Sequence, residues 1–397
     1  MSTAAAAPPT APGGGRPAGR RGVVVAGAAL VAVLVVAGAL AWVLTRPEVL
    51  RPEDFGAVGD GRADDTAALQ EAMDALRPGQ QLRLADGATY ATSDVLVLAV
   101  DDVEVRGRAE LVATDEERSS FRVESDDVVL RDLVLSTPGT TRRWSSEDQQ
   151  RLLLRGTSGV EVHDVTVRGS AAAGVFVAGG STGFLLDGVR VEDTRADGVH
   201  ITQGSSDGRV VDASTQDTGD DGVAVVSYAQ DGAPSRGVRI ESPVVRGSAA
   251  RGVSVVGGED VVITDVDVAG TGAAGVYVAT EGDPYFTTST SDVVVDGGQV
   301  VDANTDADID HGAVLLFDGS DEADLTAVEV RDLAVRGTRS TASRQVGVIG
   351  DQPVTGVELV DLRLEGGPAD LLSAPAAEGL VVRGWTLDGD DVDPTSG

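Results

Sequence analysis

Gly174-Val175-Phe176-Val177, Gly198-Val199-His200-Ile201, Gly222-Val223-Ala224-Val225, Gly252-Val253-Ser254-Val255 and Gly275-Val276-Tyr277-Val278 are five versions of one segment. Their glycines stand 24, 24, 30 and 23 residues apart. A period in this range marks a solenoid, in which each repeat is one coil. Each copy reads as a short β-branched strand whose first and third residues face inward while the middle one faces out. Stacked in register, Val175, Val199, Val223, Val253 and Val276 form one buried ladder. The middle residues then form an outward surface row: Phe176, His200, Ala224, Ser254 and Tyr277. The residues before each glycine form a second row: Ala173, Asp197, Asp221, Arg251 and Ala274. Any chemistry is expected on these two rows.

Composition agrees with narrow coils. The chain has 397 residues, 51 of them glycine, and only 3% are aromatic. A solenoid grows by adding coils, so this length needs no second core. Cysteine is absent, which excludes disulfides, thiol nucleophiles and thiolate-held metals. Lysine is absent too, so every side-chain base other than histidine is arginine. A net charge of −33 argues against nucleic acid as a partner. It is read as solvation of an exported surface.

Residues 1–21, rich in Ala, Pro and Gly, are expected to be a disordered cytoplasmic tail. Arg16, Arg20 and Arg21 precede an unbroken apolar run from Gly22 to Leu44. That run is long enough for one transmembrane helix, and the arginines place its N-terminal side in the cytoplasm. An uncleaved signal anchor over 22–44 is expected, with the rest of the chain outside the cell. Cleavage after Ala41, in Ala39-Leu40-Ala41, would make the protein secreted instead. Residues 45–51 read as a linker, 52–388 as the solenoid and 389–397 as a flexible acidic tail.

Just after the linker, Asp64 reads as the N-cap of a helix in which Leu69, Ala72, Met73 and Leu76 share one face. Such a helix can lid the open first coil. The stretch from Asp54-Phe55-Gly56-Ala57-Val58-Gly59-Asp60-Gly61 to Leu76 resembles the N-terminal signature of the pectate-lyase-like superfamily. The resemblance implies a right-handed parallel β-helix with an N-terminal capping helix, an all-β fold. Downstream, about three short strands per coil alternate with turns. Four stretches break the rhythm: Thr137 to Gln150, with Arg142, Arg143 and Trp144; Ser227 to Ser235, with Tyr228; Glu281 to Ser291, with Tyr285 and Phe286; and Asn304 to His311. Insertions in a repeat array become loops and often wall a binding face. The Tyr228 and Tyr285 loops follow equivalent strands, so they should project from one side.

The turns before the Gly-Val strands carry the chemistry. Those ending at Gly174 and Gly252 are small and neutral up to Ala173 and Arg251. Between them lie Asp193-Thr194-Arg195-Ala196-Asp197 and Asp217-Thr218-Gly219-Asp220-Asp221. Stacked strands are about 4.8 Å apart, so Asp197, Asp220 and Asp221 should share one patch, with Asp193 and Asp217 close by. Crowded carboxylates raise the pKa of at least one member. A protonated acid beside an ionised one suits glycoside hydrolysis. The plainer alternative is that Asp-Gly is a turn dipeptide. It recurs at Asp187-Gly188, Asp207-Gly208 and Asp296-Gly297.

Arg195-Ala196-Asp197, Gly219-Asp220-Asp221, Ala250-Arg251-Gly252 and Tyr277-Val278-Ala279 fall where family 28 glycoside hydrolases, the polygalacturonase type, carry Asn-Thr-Asp, Gly-Asp-Asp, Gly-His-Gly and Arg-Ile-Lys. The resemblance implies a carbohydrate-active enzyme with Asp197, Asp220 and Asp221 as acid and base. Arg251 stands in place of the family's His, and the basic pair of the fourth motif is missing. His200, Arg251, Tyr277, Tyr228 and Tyr285 are the candidates for holding a polysaccharide. No metal or cofactor is expected for a hydrolase. A polysaccharide lyase or epimerase would instead use the acids to hold Ca²⁺ against a uronate, with Arg251 as base. A non-catalytic glycan-binding solenoid is the third alternative. His163 is expected to be plain surface. Asn304-Thr305-Asp306 and Asp310-His311-Gly312 are read as decoys, since one loop holds both.

Overall fold

The computed structural model describes residues 48–395. The anchor expected over 22–44 lies outside them, and among the described residues no helix is long and apolar enough to cross a membrane. The chain is a parallel β-helix. Eleven strands from Leu96–Leu98 to Leu372–Ser373 form one parallel sheet, and the remaining strands join in a 24-stranded one. The Gly-Val segments are consecutive members of the eleven-stranded sheet: β1 (Val175–Ala178), β2 (Val199–Ile201), β3 (Val223–Val226), β4 (Val253–Val256) and β5 (Val276–Glu281).

Register is as the repeat dictates. Val175 pairs with Val199, Val199 with Val223, Val223 with Val253, and Val253 with Val276. All five are fully buried. Each such side chain is worth roughly 1.5–3 kcal/mol of hydrophobic burial. The glycine before each valine is demanded by coil-to-coil contact. A Cβ on Gly222 would stand 2.7 Å from the Gly252 carbonyl oxygen and 2.5 Å from a Val245 methyl. Gly198 and Gly252 meet equivalent neighbours.

The outward row is not the open surface it was expected to be. His200, Ala224, Ser254 and Tyr277 point away from the main core yet are buried, and Phe176 is half-buried. A second apolar cluster covers part of the row: Ala224 and Tyr277 pack with Val226, Val256 and Leu315, against Tyr228 and Phe317. The loops of Tyr228 and Tyr285 roof it together. Ala229 N–H donates to Phe286 O at 2.8 Å and Thr288 N–H to Ser227 O at 2.9 Å. They do project from one side.

The capping helix α1 (Thr66–Asp74) buries Leu69, Ala72 and Met73. Asp65, not Asp64, occupies its N-cap position, and the Asp65 carboxylate accepts from the amides of Val58 and Gly59. The Asp64 carboxylate still accepts from Thr66 N–H at 3.0 Å. Gln70 closes the strand edge: its amide donates to Val97 O at 2.8 Å and accepts from Val97 N–H at 2.9 Å.

Both ends of the β-helix differ from expectation. Val49–Leu50 already pairs with Gln81 and Leu82, so the linker's last residues belong to the fold. Asp390–Asp391 turns back antiparallel onto Thr386–Leu387, with Val392 N–H donating to Trp385 O. That part of the acidic tail is pinned over the buried Trp385.

Among the described residues, fifteen aspartates hold a left-handed backbone at positive φ. Asp tolerates this region better than most residues. Fifteen of the 64 acidic residues are therefore turn residues. Asp193 (φ 59°) and Asp217 (φ 52°) belong to this set. They line a cavity of about 610 Å³ with Arg168 and Arg195, away from the acidic patch to which sequence proximity had assigned them.

Candidate active site

Asp197, Asp220 and Asp221 converge. One carboxylate oxygen of each lies within 4.8 Å of the others. They line a cavity of about 380 Å³ together with His200, Arg251, Tyr228, Tyr285, Arg143 and Glu281.

Asp197 ends the turn before β2 and is 7% exposed. Its Oδ2 lies 2.5 Å from His200 Nδ1, and its Oδ1 accepts the Asp221 N–H at 2.9 Å. Burial works against its ionisation. The His200 hydrogen bond and charge, the Asp221 amide and Arg143 outweigh that and hold its pKa below the usual carboxylate value. The His200 ring is stacked on Phe176, with centroids 4.9 Å apart.

Asp221, one coil along and 4% exposed, is built the same way. Its Oδ1 accepts the Arg251 N–H at 2.8 Å and its Oδ2 the Ser254 hydroxyl at 2.6 Å. Burial, reinforced by the charges of Asp197 and Asp220, pushes its pKa up to about 7 against the pull of Arg251. Asp220 is more exposed and pairs with Arg143 at 2.6 Å.

Arg251 sits between two acids, 3.7 Å from Asp221 and 3.2 Å from Glu281. Its guanidinium carbon lies 4.4 Å above the Tyr277 ring, and Tyr277 Oη donates to Glu281 at 2.9 Å. Burial opposes the Arg251 charge, but Asp221, Tyr277 and Glu281 together hold its pKa above the ordinary guanidinium value. Tyr277 itself is 2% exposed and lies beneath Arg251, outside the cavity lining. It supports the arginine where a substrate contact was expected. Tyr228, by contrast, lines the cavity, and burial pushes its hydroxyl up to about 12. Tyr285 stands at the rim, 57% exposed.

Arg143, Glu281 and Ser254 were not among the expected site residues. Each lay in a place the repeat had marked: Arg143 in the first insertion, Glu281 at the start of the Tyr285 loop, Ser254 in the outward row. Which insertion residue reaches Asp220, 77 positions away in sequence, is not periodic and has no local signal. His163, expected as plain surface, bridges Glu161 and Asp187 at 2.8 and 3.0 Å. In the decoy loop, Asn304 is fully buried and accepts from the amides of His311 and Gly312, so it organises the loop. His311 stacks on the back of Tyr277, 5.5 Å between centroids.

The donor set does not suit a calcium ion. Both oxygens of Asp197 and of Asp221 already serve hydrogen bonds. Asp220 and Asp221 also face the guanidinium groups of Arg143 and Arg251. Ca²⁺ takes six to eight oxygen ligands, and here it would compete with these donors and with two guanidinium charges for the same carboxylates.

The architecture defines a class, the parallel β-helix with a groove roofed by loops between coils. A family model described as right handed beta helix region matches residues 151–326, which include the three aspartates, His200, Arg251 and Tyr285. No curated protein matches the chain. Solved structures do. The A-module of a mannuronan C-5 epimerase from Azotobacter vinelandii is 18% identical over 83% of this chain and 99% of its own, at a TM-score of 0.57. The catalytic unit of a thermostable GH87 α-1,3-glucanase from Streptomyces thermodiastaticus is 18% identical over 88% and 71%, at 0.59. A family 28 exopolygalacturonase from Yersinia enterocolitica is 16% identical over 87% and 76%, at 0.55. At these identities the likeness is one of fold: this chain is a right-handed parallel β-helix.

Proposed function

We propose that the protein is a carbohydrate-active enzyme, a glycoside hydrolase that cleaves a polysaccharide by paired-aspartate acid/base catalysis. One observation carries this. Two aspartates joined by a coil-to-coil hydrogen bond are pushed in opposite directions, Asp221 up to about 7 and Asp197 below the usual value. Environments that separate the pKa values of neighbouring carboxyls assign acid and base roles. Asp221, held by Ser254, gives its proton to the leaving glycosidic oxygen as the C–O bond breaks. Asp220, the most exposed of the three, takes a proton from the water whose oxygen forms the new bond. Asp197 stays ionised, and its charge favours the protonated form of Asp221.

The same fold in two hydrolases and an epimerase supports a glycan as partner. A lyase or epimerase with Arg251 as base is supported less, because Arg251 is bound between Asp221 and Glu281 as a cation. The proposal includes a membrane anchor over residues 22–44 with the β-helix outside the cell, resting on the apolar run and the arginines before it.

Incubation of the purified protein with a polysaccharide panel, followed by reducing-end assay and product analysis, tests this. Cleavage of at least one glycan, lost in Asp221→Asn, is expected. No cleavage of any, or undiminished cleavage by Asp221→Asn, would refute it. Binding without cleavage would point to a glycan-binding solenoid.

A further inference from the structure

Resting on that reading of the site, we infer that the glycan is neutral: the cavity takes sugars without carboxylates and works against uronates. The charges lining it decide this. Among the described residues of the lining, four are acids (Asp197, Asp220, Asp221 and Glu281), and the arginines are Arg143 and Arg251. Both arginines already have acidic partners, and Arg251 Nε, which has no hydrogen bond, is buried. Arg143 is engaged by Asp220 at 2.6 Å. Arg251 is engaged by Glu281 at 3.2 Å and Asp221 at 3.7 Å, with its guanidinium laid over Tyr277. His200 is held by Asp197. A uronate carboxylate entering here finds each arginine already beside an acid, and the carboxyl groups of Asp197, Asp220 and Glu281 at close range. Like charges brought together in a partly desolvated site weaken binding.

The rim offers what a neutral ring needs. Tyr285 and Phe286 are 57% and 45% exposed. With Tyr228, Pro284 and Gln230 they line an adjoining hollow of about 210 Å³. Exposed aromatic faces can stack on sugar rings without any charge, and one amide serves hydroxyls. The two loops that carry this platform are hydrogen-bonded to each other, so it is held in place before a ligand arrives.

The test titrates the full chain calorimetrically with oligosaccharides of equal length. Neutral gluco-, galacto- and manno-oligosaccharides are compared with oligogalacturonate and oligomannuronate, at low and high salt, in the wild type and in Glu281→Gln. At least one neutral series should bind, and the uronates should bind about tenfold more weakly or worse at low salt. The gap should narrow with salt and in Glu281→Gln, where Arg251 loses a charged partner. A uronate bound as tightly as any neutral series, no neutral series bound at all, or a preference unaltered by Glu281→Gln would overturn the inference. Product analysis on the same ligands separates this from the hydrolase proposal. A neutral glycan bound but not cleaved keeps the neutral site and refutes hydrolysis. A uronate bound preferentially and cleaved, with Asp221→Asn inactive, keeps hydrolysis and refutes the neutral site.

Discussion

Asp197 accepts the backbone N–H of Asp221 through Oδ1 at 2.9 Å, and Asp221 repeats the contact one coil on by accepting the N–H of Arg251 at 2.8 Å. The turn role and the site role are therefore held by the same side chains. Each aspartate ties its coil to the next with one oxygen and meets a site residue, His200 or Ser254, with the other.

This geometry separates two substitutions at one position. Asp221→Asn keeps an oxygen for the Arg251 amide and removes a charge from a crowded cluster. It should melt close to the wild type while losing activity. Asp221→Ala strands the Arg251 N–H and the Ser254 hydroxyl and should cost about 1–3 kcal/mol. Thermal or denaturant melts with turnover on both variants check this. Equal stability loss in the two would mean that the hydrogen bond plays no part.

Activity should fall as pH rises through about 7, where Asp221 loses its proton and can no longer act as the acid. Arg251 favours the ionised form of Asp221, so Arg251→Ala should move the basic limb of kcat/KM to higher pH. A limb that stays put or moves down would remove Asp221 as the titrating acid.

Stability carries its own sign. The raised Asp221 pKa means that the folded state binds more protons than the unfolded state between about pH 4 and about pH 7. Its contribution to stability is therefore lost as pH rises across that window. The lowered Asp197 pKa acts the other way: its contribution is lost as pH falls through its folded value. Melting curves of wild type and Asp221→Asn from pH 4 to 8 should show the variant gaining on the wild type as pH rises. Parallel curves would contradict the shift.

Gly222→Ala should be destabilising by about 1–3 kcal/mol, since the new methyl meets the Gly252 carbonyl and Val245. A melt unchanged by this substitution would mean that the coils can part without loss.

At the N-terminal end, Leu69→Ala should cost about 2–5 kcal/mol, because Leu69, on the inner face of α1, is fully buried. Gln70→Ala removes both bonds to Val97 and leaves a strand edge open. Light scattering should then show association on mild heating, whereas scattering unchanged from the wild type would show that the edge is guarded by something else.

The sequence by itself determined the coils. Glycine recurring about once per coil and followed by β-branched residues admits one register, because a one-residue slip would turn every valine outward. The capping helix was legible for the same reason, as four apolar residues on one face. The aspartate trio was legible as a position, because stacking carries neighbouring turns to neighbouring places. Tertiary structure alone decided what those positions do. Burial of Asp221 against the next coil raises its pKa. Arg143 reaches Asp220 and Glu281 reaches Arg251, which pairs the groove's cations with acids. Asp193 and Asp217, equally acidic in sequence, are left-handed turn residues on another cavity. Backbone periodicity is a local property that side-chain pattern records. Desolvation and charge pairing depend on which distant loop closes over a coil, and no repeat in the chain encodes that.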